Sequence, residues 1–95
     1  MARLRLTTAA SRDLAEIQET GLAEFGLHAT RAHMQGFERI FALLRDYPEA
    51  GPMRRDFGPE VRSFTHPPHR VLYRVERDEV LILRVLHTAR KARPL

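Results

Sequence analysis

Arg70-Val71-Leu72-Tyr73-Arg74-Val75 and Val80-Leu81-Ile82-Leu83-Arg84-Val85-Leu86-His87 are two apolar runs separated by four charged residues. Branched and aromatic side chains over segments this short predict two β-strands, with Arg77-Asp78 at the tip of a tight hairpin. The second run is almost wholly apolar, which predicts a strand buried on both faces. Yet it carries Arg84, ends at His87 and is followed by a basic tail. A buried strand that delivers cations to its end suggests a surface built to engage something acidic.

Ninety-five residues with 43% hydrophobic content predict one domain, residues 1–95, with a modest core and no deep substrate cavity. The absence of cysteine excludes a disulfide framework and thiolate chemistry. No apolar run approaches the roughly 20 residues needed to span a bilayer, and Met1-Ala2-Arg3-Leu4-Arg5-Leu6 holds no apolar signal core. A cytoplasmic protein without membrane contact is the expectation. The net charge of +4 is uneven. Residues 1–53 hold six Lys/Arg against seven Asp/Glu, and residues 54–95 hold ten against five. The strand-rich half is therefore the cationic half, which favours nucleic acid, ribosome or an acidic protein as partner.

Leu4 and Leu6 alternate with Arg3 and Arg5, as in a short strand with one buried face. Thr7 or Thr8 can cap a helix whose early turns carry Asp13 and Glu16, favourable near a positive helix end. Leu14, Ile17, Gly21 and Phe25 recur at helical spacing and predict its inward stripe, with Gly26 as a left-handed cap. A second helix is expected from about His28 to Asp46, with Phe37, Ile40, Phe41 and Leu44 on one face. So short a link makes the pair an antiparallel hairpin. Tyr47-Pro48-Glu49-Ala50-Gly51-Pro52 stops it. Strands follow at about Val61–Phe64, Arg70–Glu76 and Glu79–His87, the first two joined by a stiff His66-Pro67-Pro68-His69 connector. The expected fold is α+β, in the order β-α-α-β-β-β, with the helical hairpin packed on a mostly antiparallel sheet.

This order, with particular residues, resembles the RelE/ParE superfamily of bacterial type II toxins, and specifically its ParE branch. The matching residues are Thr7-Thr8-Ala9-Ala10, Asp13-Leu14-x-x-Ile17, Phe25-Gly26, Phe41-x-x-Leu44, Pro48-x-x-Gly51 and Val61-Arg62-Ser63-Phe64. The most specific are His69-Arg70-Val71-Leu72-Tyr73-Arg74-Val75 and Leu83-Arg84-Val85-Leu86-His87-x-x-Arg90. The resemblance implies a growth-inhibiting toxin that targets DNA gyrase and is neutralised by a ParD-like antitoxin. It also implies a hetero-oligomer with that antitoxin, and contact with operator DNA only through it. The alternative within the superfamily is a RelE-like, ribosome-dependent mRNA endonuclease.

RNA cleavage by an internal 2′-hydroxyl needs a base, an acid and cations for the developing phosphorane charge. Arg62, Arg84 and His87 are the candidates if the chain is a nuclease. The ribonuclease branch usually places a catalytic tyrosine or histidine after the last strand, and Thr88–Leu95 has neither. No catalytic residue is therefore expected, and Arg62, Arg84, His87, Arg90 and Lys91 are the expected target-binding set. Arg62 and Arg84 fit equally well as structural partners of Asp56, Glu60 or Glu76. Strict alternation would put Arg84 on the face of Val80, Ile82 and Leu86, and His87 on the other with Leu81, Leu83 and Val85. Tyr73 is expected to pack with Val71 and Val75.

Antitoxin anchors are expected among whichever of Leu22, Phe25, Phe37, Ile40 and Phe41 are exposed. They would receive an amphipathic helix along the helical hairpin, or an extended segment would join a free sheet edge. His66 and His69 lack an evident third ligand, and His28 and His33 lie off a common helix face, so no metal is expected. No phosphate loop or serine nucleophile motif calls for a cofactor.

Overall fold

Strand β1, Arg3–Leu6, leads into the helical segment α1, Thr8–Asp46; strands β2, Arg62–His66, β3, His69–Glu76, and β4, Glu79–His87, follow. The computed structural model describes all residues, 1–95. Thr7 is the N-cap: its Oγ1 accepts the Ala10 N–H at 3.0 Å and donates to the Leu83 carbonyl at 2.7 Å. One side chain thus ends β1, starts the helix and ties both to β4.

Within α1, Gly26 has φ 85° and ψ 174°, a conformation essentially confined to glycine, so the segment is two limbs, residues 8–25 and 27–46. They fold back on one another: a Cβ placed on Gly21 would lie 2.7 Å from the Thr30 hydroxyl. The helical hairpin read from the sequence is present, with Gly26 at its turn. The second limb ends where the Tyr47 N–H bonds the Leu43 carbonyl at 2.8 Å and Pro48 follows.

The sheet order is β1-β4-β3-β2, with β1 parallel to β4 and the other pairs antiparallel. Phe37, Ile40, Phe41 and Leu44 of the second limb pack on Val71, Tyr73, Val80, Ile82 and Val85. From the first limb only Ala10 is fully buried, while Leu14 and Ile17 lie at the margin. A smaller core forms on the other sheet face from Phe57, Val61, Leu72 and Leu86, with Leu83 against it. The middle of β4 is therefore covered on both sides, as its apolar run predicts. Tyr73 is fully buried among these residues, and its hydroxyl accepts the Gly51 N–H at 2.8 Å.

Strict alternation fails in β4. Tyr73 stands opposite Ile82 and Leu72 opposite Arg84, which leaves Leu83 as an extra residue, a β-bulge. Val85 consequently joins Val80 and Ile82 beneath the helices, and Leu86 moves to the opposite core. The expectation that Leu86 shares a face with Val80 and Ile82, and Val85 with Leu83, is corrected by this bulge. Phe25 is corrected as well: it is 71% exposed, because the hairpin tip projects past the sheet.

β1 reaches only to Leu6, opposite Ile82, so β4 continues without a strand on that edge. Asp13 fills the gap. Its Oδ2 accepts the Val85 N–H at 2.9 Å, and its two oxygens receive Arg84 Nε at 2.7 Å and Nη2 at 3.0 Å. The carboxylate is thereby fully engaged, and the pair is mostly shielded from water. Midway along the second limb, Gly36 lets the helix rest on the His66 ring, which an added Cβ would strike.

Asp13→Ala should destabilise the fold by about 1–3 kcal/mol, since it leaves a shielded guanidinium and a backbone N–H unpaired. Thermal denaturation should show a midpoint lower by roughly 5–15 °C for a domain of this size. Asp13→Asn, which keeps one acceptor, should lose less. Gly36→Ala should cost about 1–3 kcal/mol through overpacking against His66. An unchanged midpoint would mean that the His66 ring yields freely.

Candidate functional site

Arg62 opens β2, and its side chain turns back over the segment that follows the second limb. Its Nη1 donates to the Gly51 carbonyl at 2.8 Å and to the Glu49 carbonyl at 3.3 Å, and its Nη2 lies 3.5 Å from Glu49 Oε2. It staples this loop to the sheet. Arg84 is held by Asp13, and that hydrogen-bonded contact raises its already high pKa further. Neither arginine pairs with Asp56, Glu60 or Glu76, the partners suggested by the sequence. Each has a structural partner elsewhere, and Asp13 is 71 residues from Arg84.

The expected constellation of Arg62, Arg84 and His87 does not converge. Arg62 pairs across the sheet with Tyr73 and thence with Ile82, whereas His87 pairs with His69 at the other end of the strands. Arg62 and Arg84 are directed to opposite margins of the sheet, one to the Glu49–Gly51 loop and one to the first helical limb. Arg90 and Lys91 lie beyond β4, exposed and without ion-pair partners. The tail then crosses the outer face, where the Leu95 N–H donates to the Phe57 carbonyl at 2.9 Å.

His87 belongs to a different group. His66, His69 and His87 occupy one row across three strands, and His33 from the second helical limb closes over them. His33 Nε2 and His69 Nδ1 are 2.9 Å apart in a hydrogen bond. The His66 ring stacks on that of His33, centroids 4.2 Å apart, and its Nε2–H donates to the His33 carbonyl at 2.9 Å. His87 meets His69 edge-on at 5.6 Å and accepts the Ala89 N–H on Nδ1. Burial, and then the neighbouring imidazoles, push His69 down to about 4; burial and His66 lower His33. No three His, Asp or Glu side chains are arranged to hold a metal ion. Sequence spacing concealed the group, because its members stand at 33, 66, 69 and 87 and meet only through strand register.

Arg70 was likewise missed. Its guanidinium lies 5.6 Å over the Phe57 ring, and its Nε is buried without a protein partner. Arg54 flanks the same ring at 4.9 Å but is bound through two nitrogens to Asp56. Arg70 is thus an uncommitted cation held near the tail by an aromatic face. Position alone did not separate it from Arg74, which pairs with Glu76 at 3.0 Å.

Two clefts flank the helical hairpin. One, of about 540 Å³, separates the hairpin from the end of the sheet; Ile17 and Phe25 of the first limb and His33 and Met34 of the second meet His69, His87 and Arg90 across it. The other, about 350 Å³, runs between the limbs and is lined by Leu14, Leu22, Leu27 and Met34, with Phe37 and Phe41 at its base. Leu22 is 43% exposed and Leu27 60%. Of the five anticipated anchors, Phe37, Ile40 and Phe41 are buried in the core and present little surface to a partner. Leu22 and Phe25 are exposed, on different clefts, and Leu27 is an apolar position that the sequence reading passed over. No helix is long and apolar enough to cross a membrane.

Residues 4–92 match the family model described as ParE toxin of type II toxin-antitoxin system, parDE. Over 86 residues the chain is 33% identical to Toxin ParE3 of Caulobacter vibrioides, covering 90% of this chain and 86% of that one. A solved chain from the chromosomal ParDE toxin–antitoxin system of P. aeruginosa superposes with a TM-score of 0.78 at 26% identity, covering 92% and 96% of the two chains. A chain of the RelBE2 toxin–antitoxin complex of Mycobacterium tuberculosis gives 0.63 at 30% identity, covering 94% and 93%. With its helical hairpin on a four-stranded mixed sheet, this chain belongs to the ParE family of toxins of type II toxin–antitoxin systems.

Proposed function

We propose that this chain arrests bacterial growth by binding DNA gyrase, without cutting RNA, and that a ParD-like antitoxin holds it inactive. The observation that carries the non-nuclease reading is the commitment of Arg62 and Arg84 to Glu49 and Asp13 at opposite sheet margins. A phosphorane-stabilising site needs its cations and its proton carrier around one phosphate. Arg90 and Lys91, beside His87 at the end of β4, are among the cations without an ion-pair partner and so free to meet a target. Membership in the ParE family is what supports gyrase as the target, since the fold alone does not select one.

The antitoxin is the natural occupant of the groove between the limbs. Its apolar lining of Leu14, Leu22, Leu27 and Met34 suits one face of an amphipathic helix. The relatives in the ParDE and RelBE systems come from such two-component assemblies. An acidic partner segment would complement the excess of cations in residues 54–95.

Inducing the chain alone in bacteria, while mapping RNA 5′ ends and the DNA-damage response, tests the target. The expected result is growth arrest with an SOS response and no new mRNA ends; purified protein at micromolar concentration should inhibit gyrase supercoiling. New ends within translated frames would replace this reading with the ribosome-dependent nuclease. Normal growth at full induction would leave a non-toxic partner of the antitoxin. For the groove, Leu22→Asp and Leu27→Asp should each weaken antitoxin binding by about tenfold or more, the equivalent of one lost leucine contact. The variants' own thermal midpoints should change little. Unaltered affinity would move the antitoxin elsewhere.

A further inference from the structure

We propose that His33, His66, His69 and His87 form an acid-released latch that fastens the second helical limb to the end of the sheet. The proposal stands on the fold and does not depend on which target the toxin meets.

The geometry first shows a fastening. The hairpin tip projects past the sheet, and near that end the second limb is held by imidazoles: His33 Nε2 to His69 Nδ1 at 2.9 Å and His66 Nε2 to the His33 carbonyl at 2.9 Å. The His66 ring lies between the helix backbone at Gly36 and the His33 ring, so it touches the limb on two sides. Phe37 meets His33 and His66 edge-on at 5.0 Å and 4.7 Å, which joins the cluster to the main core.

The same geometry resists protons. Only one hydrogen fits between His33 Nε2 and His69 Nδ1, so one of these nitrogens must be bare for the bond to exist. The pair can hold one extra proton in place; a second puts hydrogens on both facing nitrogens and breaks it. His66, stacked at 4.2 Å, adds like charge against any cation on His33. The ring nitrogens bond only to one another and to backbone groups, never to a carboxylate. The charged groups facing the cluster across the cleft are Asp13, Glu16 and Glu24 of the first limb and Arg90 of the tail. Asp13 is committed to Arg84. Glu16 and Glu24 are exposed on the far wall, where solvent screens them.

The linkage has a definite sign. In the opened state the His69 imidazole titrates near its ordinary value of about 6.5, while in the closed state it is pushed down to about 4. The opened state therefore binds more protons as pH falls between these values, and closure loses stability over that window. Above about pH 6.5 the latch is fully effective. For His69 alone, the ratio of open to closed molecules at pH 5 rises by at most about thirtyfold, discounted to about tenfold for a partly exposed ring. Opening separates His33 from His69 and so widens the cleft between hairpin and sheet, whose wall these rings form.

Amide hydrogen exchange of the full chain at pH 7.5 and pH 5.0, corrected for intrinsic rates, reads this directly. Protection in residues 27–38 should fall by about tenfold, while the β3 and β4 amides change little. The double variant His33→Gln, His69→Asn puts amide groups where the two facing ring nitrogens stand; it keeps a hydrogen bond and cannot titrate. Its protection should stay level across the same range. An equal loss in the variant, or no loss in the native chain, overturns the latch. If the variant fails to fold at pH 7.5, an NMR titration of the native His69 ring decides: a midpoint near 4 sustains the proposal, and one near 6.5 overturns it.

Discussion

β4 runs on to His87 after its neighbour β1 has stopped at Leu6, and much of the structure answers to that mismatch. A strand with a bare edge exposes backbone donors and acceptors that must be satisfied or solvated. Here the first turns of the helix take the place of the missing strand. The Thr7 N–H donates to the Ile82 carbonyl, the Thr7 hydroxyl to the Leu83 carbonyl, and Asp13 accepts from the Val85 N–H. The first limb is thus bonded along an edge of β4. That explains why it buries only Ala10 completely, while the second limb supplies Phe37, Ile40, Phe41 and Leu44 to the core. Arg84 follows from the same need. A carboxylate turned inward to cap a strand edge carries a charge that a planar guanidinium can match through two bonds.

Elements fixed by local physics were legible in the sequence. The Thr7 cap, the break at Gly26, the stripe of the second limb, the Pro48 stop and the β3–β4 hairpin each rest on residues within a few positions of one another. Features fixed by register were not. Nothing in Leu83 marks it as a bulge: it is neither glycine nor flanked by one, and the extra residue emerges only from pairing with β3. Once the bulge is missed, Val85 and Leu86 exchange faces in any alternation argument. Phe25 illustrates a different limit. Its spacing fits the inward stripe, but a helix stripe is buried only where something lies beneath it, and the sheet ends short of the hairpin tip.

The cations divide according to what they touch, a distinction that charge counting does not make. Arg62 and Arg84 are parts of the scaffold: Arg62 bonds the Glu49 and Gly51 carbonyls beside the Glu49 carboxylate, and Arg84 is held by the Asp13 carboxylate. Arg54 is bound to Asp56. Arg70, Arg90 and Lys91 have no such partners. An excess of positive charge in residues 54–95 therefore overstates the charge available to a partner near the β-strands and understates its concentration towards the tail. Substituting Arg62 or Arg84 would disturb loop or helix placement first, so loss of toxicity in such variants would not identify a contact residue.

The bulge at Leu83 also creates the histidine row. From the hairpin turn, Val75 faces Val80 and Tyr73 faces Ile82. Without the extra residue, Leu72 would face Leu83 and the register would continue to His69 opposite Leu86, with His87 beyond the end of the ladder. Inserting one residue into β4 advances every later partner by one, so that His87 stands opposite His69, which itself stands opposite His66. The same step carries Val85 under the helices and Leu86 onto Phe57. A single backbone irregularity thus completes two apolar cores and lines up three imidazoles where the second limb closes over them. Packing on both faces holds the bulge in register. The polar row is therefore a consequence of how the core is filled, and it cannot drift without unpacking Val85 or Leu86.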